Sequence, residues 1–423
     1  MGRPAAPAIS RPEAWRSARG LRVPVWVPGA ACVLFVIVAI AAAWPGDSPL
    51  VPGQEEGDTR WSWLYLGAAV AAFLAYLAGL WLLDRGRPAR VALVVAVAAV
   101  IQLAPVAAPV LLSTDAFTYW DYGRLSAIHG ANPYSDLPRD FPADPAYTKM
   151  GADWRSTTTV YGPGFTLASE AHAEAVGSSA NAAAWLYKAV AALAMVALVL
   201  LAARLGSRPA FSAAFVGWNP LLAFHFAGAG HNDALMMAFV LGALALAATG
   251  RRQLAGAAWA LSIAIKWVPL VFLPLRALEA RATGRPVRYL GFVVAAAVLA
   301  AVAFWRYGTG WLQVFGPLAD NLQDQARYSI PQRLAQVTGM PDGAAAGILI
   351  GLFAIAYLWL LREAWRGRAR LGLTAGLLLL TTSWLVPWYA VWAVPLAAVE
   401  EDRAARFLAL GLSAYLLRDI VPL

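Results

Sequence analysis

Asp115 is the first residue whose position suggests chemistry. It lies in the run Ser113-Thr-Asp-Ala-Phe-Thr-Tyr-Trp-Asp-Tyr-Gly-Arg124, directly after an apolar stretch. On a helix, Asp115, Thr118, Tyr119 and Tyr122 share one face at i, i+3, i+4 and i+7. A carboxylate lined by hydroxyls and aromatic rings suits a sugar, whose C–H surfaces pack on rings and whose hydroxyls need acceptors. The same face also fits an interfacial helix with a Tyr/Trp belt. Asp121 points to another side, because six steps turn a helix by about 600°. It has Arg124 at i+3, which predicts an ordinary surface ion pair.

Four further groups carry polar chemistry among apolar neighbours. Asn132-Pro-Tyr134 and Trp154-Arg-Ser-Thr-Thr-Thr-Val-Tyr-Gly-Pro163 supply Asn132, Tyr134, Arg155, Thr158, Thr159 and Tyr161, in turns marked by Pro and Gly. A polar loop explains them as well. Gly228-Ala-Gly-His-Asn-Asp233 brings His231, Asn232 and Asp233 together, with His225 six residues earlier. Three consecutive polar side chains at the rim of apolar spans are costly unless used, which favours function; a helix cap or a local hydrogen-bond network is the alternative. His231 with Asp233 is too small a donor set to define a metal site, so no cofactor is expected and no divalent metal should be essential. Lys266 interrupts Ile263-Ala-Ile-Lys-Trp-Val-Pro-Leu270, where its ammonium would suit an anionic headgroup such as a phosphate; snorkelling to the interface is the alternative. Trp388 and Tyr389 sit in the aromatic run Trp384–Trp392, placed either to line a cavity or to anchor at an interface.

The elements that must position these residues are membrane helices. Apolar runs predict spans at about 24–44, 62–83, 91–112, 181–203, 209–226, 232–249, 288–305, 342–361 and 404–419. Stretches 254–275 and 371–399 are broken by Lys266, Pro269 and Pro274, and by Pro387 and Pro395. Each reads as two short helices that enter from one side and turn back, which is tolerated where they line a cavity. About 13 membrane segments result. Loop charges set the orientation. Arg3, Arg11, Arg16, Arg19 and Arg22 place the N-terminus inside, and further Arg clusters alternate with acidic external loops. Glu400, Glu401 and Asp402 outnumber Arg403 and Arg406 in one inside loop, but acids weigh little in that rule. The first run reads as a retained helix, not a signal peptide. Two large external loops follow, at about 113–180 and 306–341. The division is residues 1–90, a cytoplasmic N-terminus and two leading helices, and residues 91–423, the unit with the polar loops.

Composition agrees. Of 423 residues, 60% are hydrophobic and 13% charged, with a mean hydropathy of +0.59. Soluble domains have about 25% charged residues, so an ordinary cytosolic enzyme, a DNA-binding protein and a disordered chain are excluded. The net charge of +9 comes from Arg in short loops, the positive-inside pattern, and predicts no nucleic-acid partner. Lysine occurs only at 149, 188 and 266. A single cysteine, Cys32, excludes a disulfide framework. No GxxxxGK[ST] motif occurs, and no inside loop is long enough for a nucleotide-binding domain.

The joint order of an Asp after a span, Asn-Pro-Tyr, WRSTTTVYGP, GAGHND, AIKWVPL and PWY resembles the GT-C glycosyltransferases. It is most similar to the actinobacterial polyprenyl-phosphomannose-dependent α-(1→6)-mannosyltransferases that build lipomannan and related mannan cores. The likeness spans about 91–400. It implies an all-α polytopic GT-C fold in a bacterial plasma membrane, with the active site facing outside. It implies a polyprenyl-phosphate sugar donor, a mannan or glycolipid acceptor, and Asp115 as the general base. Inversion of a β-linked phosphomannose would give an α-mannoside. The competing class is a polytopic transporter or lipid flippase; it would need an ionisable path across the bilayer, whereas the polar groups here gather near one face.

Overall fold

The computed structural model describes residues 23–285, 289–320 and 326–421. The basic residues Arg3 to Arg22, Arg288 and part of the loop at 306–341 lie outside the described residues. All regular structure among the described residues is helical, as expected of an all-α polytopic membrane protein.

Three helices open the chain: α1 (Trp26–Ala41), α2 (Thr59–Asp84) and α3 (Val91–Leu103). A loop and the paired helices α4 (Asp115–Ala127) and α5 (Pro163–Val176) follow, then the long α6 (Ala180–Leu205). Next come α7 (Pro209–Gly217), α8 (Pro220–Ala223) with a π turn at Phe224–Gly228, α9 (Asp233–Ala248), α10 (Arg252–Ile265) and α11 (Leu273–Ala282). The chain ends in α12 (Leu290–Tyr307), α13 (Phe315–Asp320), α14 (Ile330–Thr338), α15 (Asp342–Trp365), α16 (Leu371–Thr381), α17 (Val394–Val399) and α18 (Arg403–Leu416).

Four continuous helices, α2, α6, α12 and α15, are long and apolar enough to cross a membrane, and a bent pair makes a fifth. The expected 13 segments are therefore mostly shorter or broken pieces. Five further apolar helices, including α1, α9 and α16, fall short of span length. The cause is visible at 209–226, expected as one span. It is instead two helical pieces bent by 51°. Asn219 stands before Pro220, which disfavours helical backbone, and it is extended at φ −71°, ψ 109°. The freed carbonyls of Gly217 and Asn219 accept from the Gln102 side-chain amide at 3.0 and 3.2 Å. The break is thus satisfied inside the protein, as an apolar surrounding requires.

The predicted broken pair at 371–399 turns back. The Glu400 carboxylate accepts from the Leu371 and Gly372 N–H groups at 2.6 and 3.0 Å, so the end of α17 lies beside the start of α16. The Gly291 N–H donates to the Gln253 side chain at 2.6 Å, joining the starts of α10 and α12. The acids that disturbed the inside charge count have local work. Glu400 caps α16, while Asp402 pairs with Arg370 at 2.6 Å and caps α18 through Ala404 and Ala405. Glu401 accepts from Ser207 at 2.5 Å.

Candidate active site

Asp115 stands at the N-terminus of α4, where the helix dipole favours a negative charge. Its Oδ2 accepts from the Tyr119 hydroxyl, one turn along, at 3.1 Å. The same oxygen lies 3.1 Å from His231 Nδ1, brought from the turn before α9. Oδ1 has no partner among the described residues, and the side chain is 14% exposed. Burial raises this carboxyl, but the hydrogen bond and charge of His231, with Lys266 and Tyr119 behind them, outweigh it and hold it below the usual carboxylate range. One oxygen is therefore held and the other presented, ionised at neutral pH.

His231 is fully buried and stacks on Trp388, with centroids 3.7 Å apart and planes at 14°. Two residues on, Asp233 Oδ1 accepts from Lys266 Nζ and from Trp392 Nε1, each at 2.7 Å. The Lys266 ammonium also lies 4.6 Å from the Tyr389 ring centroid, and Tyr389 stacks on Trp392 at 4.0 Å. Gly230, at φ +83°, gives the turn that aims His231 and Asp233 this way. Lys266 emerges where α10 ends and a Pro269-containing 3-10 turn begins. The sequence readings of Asp115, His231, Asp233, Lys266, Trp388 and Tyr389 as neighbours therefore converge in one cluster. His225 Nδ1 and Nε2, His231 Nε2, both amide atoms of Asn232 and Asp233 Oδ2 are buried without a partner. Native proteins leave few such atoms, so their gathering here sets this cluster apart from an ordinary packed core.

Tyr161 joins the cluster through Tyr119, edge-on at 5.1 Å, within an aromatic box completed by Phe165 and Tyr187. Gly162 makes this possible. Its N–H donates to the Ile265 carbonyl at 3.1 Å, and a Cβ there would come within 2.3 Å of the Ala264 oxygen. The WRSTTTVYGP loop thereby docks against the end of α10, beside Lys266. The other expected site residues spend their polar atoms on scaffolding. Asn132 Nδ2 donates to the Tyr307 carbonyl at 2.9 Å, and the Tyr134 hydroxyl donates to the Tyr161 carbonyl at 3.1 Å. The Tyr122 hydroxyl donates to the Thr157 carbonyl at 2.8 Å, not toward Asp115. Thr159 accepts from the Tyr161 N–H at 3.4 Å, and Thr158 is half-buried without a side-chain bond among the described residues. Arg155 lies over Tyr147 at 4.8 Å, beside a separate cavity.

Asp121 corrects the sequence expectation. It is buried and does not pair with Arg124, which takes Asp144 at 2.8 Å; His129 also reaches Asp144, at 2.7 Å. Burial, and then the Asp144 charge, push the Asp121 carboxyl up to about 7, against Arg124 and Arg155. The ordinary value is 3.8, so the folded chain keeps a proton that the unfolded chain has released. Stability therefore falls as pH rises from about 4 to 7 and levels off above. Asp121→Asn should flatten that slope, leave the protein more heat-resistant than the parent at pH 8, and keep most activity. Thermal unfolding at pH 5 and pH 8 checks it; an unchanged slope would assign the group no buried proton.

Tyr187 and Phe165 escaped the sequence reading, because nothing distinguishes them from other aromatics in apolar runs, and Trp392 was legible only as the end of the aromatic run Trp384–Trp392. Among the described residues, no three His, Cys, Asp or Glu side chains stand together as a metal-ligating group.

A sequence model described as "Alpha-(1->6)-mannopyranosyltransferase, N-terminal domain" matches residues 26–281, more than half of the chain. The match contains Asp115, His231, Asp233 and Lys266, but not the Trp388–Trp392 segment. Alpha-(1->6)-mannopyranosyltransferase A of Mycobacterium tuberculosis is 28% identical over 365 residues, covering 76% of this chain and 68% of its own length. The protein of the same name from Corynebacterium glutamicum is 28% identical over 172 residues, covering 40% of this chain and 34% of its own. The chain thus spans about two thirds of the first relative's length and one third of the second's. No solved structure matches. The family match over α1 to α11, with the acid and basic groups of that span gathered in one cluster, identifies the chain as a membrane glycosyltransferase belonging to the alpha-(1→6)-mannopyranosyltransferase family.

Proposed function

We propose that this chain transfers mannose from a polyprenyl-phosphate donor to a mannan or glycolipid acceptor at the extracytoplasmic face of a bacterial plasma membrane, with inversion. The observation that carries the reading is Asp115, one oxygen fixed by Tyr119 and His231 and the other without a partner among the described residues. In this account Asp115 Oδ1 takes the proton of the acceptor hydroxyl. The acceptor oxygen attacks the anomeric carbon of the donor. The bond from that carbon to the phosphate oxygen breaks, and polyprenyl phosphate leaves with the electron pair. His231 and Tyr119 act as positioning residues, because they hold the carboxylate in one rotamer.

The Lys266 ammonium has three N–H donors, of which Asp233 takes one. In our reading the others meet the donor phosphate, offsetting the charge that develops on the leaving group. Tyr389 and Trp388, both half-buried, offer rings to the sugars. His231, Asn232 and Asp233 shape the polar wall. A lipid-phosphate leaving group needs no nucleotide-binding domain, which accords with the loop lengths.

Metal is not required in this scheme, since Lys266 supplies the cation. Activity after exhaustive chelation should stay within about twofold of the starting rate, a small fraction of the loss expected from removing a catalytic group. Abolition by EDTA with rescue by Mn²⁺ or Mg²⁺ would refute that part. The donor class is tested by incubating the purified protein with an oligomannoside and either polyprenyl-phosphomannose or GDP-mannose, with product read by mass spectrometry. One added hexose with the lipid donor only supports the proposal; product with GDP-mannose only overturns it.

A further inference from the structure

A cavity of about 560 Å³ opens near the site and is not lined by Asp115, His231, Asp233 or Lys266. Its walls come from the loop after α1, the turn at 107–110 after α3, the segment 148–155 and the start of α6. Its basic lining residues are Lys149, Arg155 and Lys188, and no acidic residue lines it. The carboxylate of Glu55 is near in sequence, but it is exposed and accepts from the Gly53 N–H at 2.8 Å.

Lys188 decides what the cavity is for. It is one of three lysines, sits in an apolar span and is 1% exposed. Its Nζ donates to the Ala108 and Pro109 carbonyls. The partly buried Lys266 has the Asp233 carboxylate; Lys188 has no carboxylate partner among the described residues. Two carbonyls satisfy hydrogen bonds without neutralising charge, and a buried ammonium with no counter-charge is expensive. The third N–H remains for a group in the cavity. Arg155 adds a buried Nε without a partner, and Lys149 stands exposed at the rim.

The remaining wall fits a lipid. Val51, Val110 and Phe117 give apolar lining, and Trp44 and Trp185 are 63% and 54% exposed. Tryptophans with that exposure on a membrane protein belong at the headgroup level. We infer that this cavity binds the phosphate of an anionic membrane phospholipid, with Lys188 at its floor and Lys149 and Arg155 around the headgroup. The bound lipid supplies the counter-charge that Lys188 otherwise lacks. It also abuts the active site, because Tyr187, the neighbour of Lys188, packs on Tyr119 at 5.4 Å.

The test uses the full chain in detergent and measures retained lipid by native mass spectrometry after titration with phosphatidylglycerol or phosphatidylcholine. The parent protein should hold phosphatidylglycerol preferentially. Lys149→Gln combined with Arg155→Gln keeps Lys188 and its carbonyl bonds, and should weaken phosphatidylglycerol about tenfold or more, the loss of charge-assisted hydrogen bonds to one phosphate. Lys188→Met should abolish the preference wherever the variant still elutes as a folded species. Equal retention of both lipids, or no change in the double variant, overturns the inference. Full displacement by millimolar inorganic phosphate would make this a free-anion site. Displacement by polyprenyl phosphate at equal mole fraction would give the cavity to the donor instead.

Discussion

Asp115→Asn should reduce turnover by about 10²–10⁴-fold, or about 3–5 kcal/mol, the typical cost of losing a general base. The amide keeps the shape and can still accept from Tyr119 and His231 through its oxygen, so folding should hold. What disappears is the ability of the second position to take a proton from the acceptor. Donor affinity should therefore change little, and the loss should appear in kcat. The measurement is steady-state kinetics on variants matched by size-exclusion profile and thermal transition. Asp121→Asn serves as the control, because Asp121 sits 2% exposed on another side of the same helix. Loss of turnover in the Asp121 variant with retention in the Asp115 variant would move the base.

Asp233→Ala should be the most damaging single change to stability. It leaves the Lys266 ammonium without its carboxylate and Trp392 Nε1 without its acceptor. Removing one partner of a buried ion pair typically costs about 3–5 kcal/mol. Asp233→Asn with Lys266→Met removes both charges together and should recover most of that loss. It should not recover donor binding, because the proposed phosphate contact is gone. Stability is read from thermal unfolding and donor binding from the apparent donor KM on the folded fraction. If the double variant kept the parent donor KM, Lys266 would be a structural partner of Asp233 and not a phosphate ligand.

The membrane character and the active cluster were legible for one physical reason. Polar residues in an apolar chain are costly, so Asp115, the His231–Asp233 run and Lys266 stood out against their background. Breaks at Lys266 and Pro387 were legible because proline and charge interrupt helices. Partnership was not. Asp121 and Arg124 have the spacing of a helical pair, yet a long-range partner, Asp144, takes the arginine. Helical spacing offers Asp121 a partner, but tertiary packing decides who meets whom. The bend at Asn219-Pro220 was hidden inside an unbroken apolar run, and Gln102, which satisfies it, lies over a hundred residues away. Lys188 carried the same scarcity signal as Lys266, but only the fold shows that it has no carboxylate partner among the described residues.

The central claim is single-step mannosyl transfer from a lipid phosphate with Asp115 as the base, while the Asp233 carboxylate is engaged by Lys266 and Trp392. The anomeric configuration of the new linkage tests it most directly, read by NMR on product made from a β-linked polyprenyl-phosphomannose. Direct attack by the acceptor inverts the centre, so the account predicts an α-mannoside. A β-mannoside would require two displacements and a second nucleophile, and would contradict it.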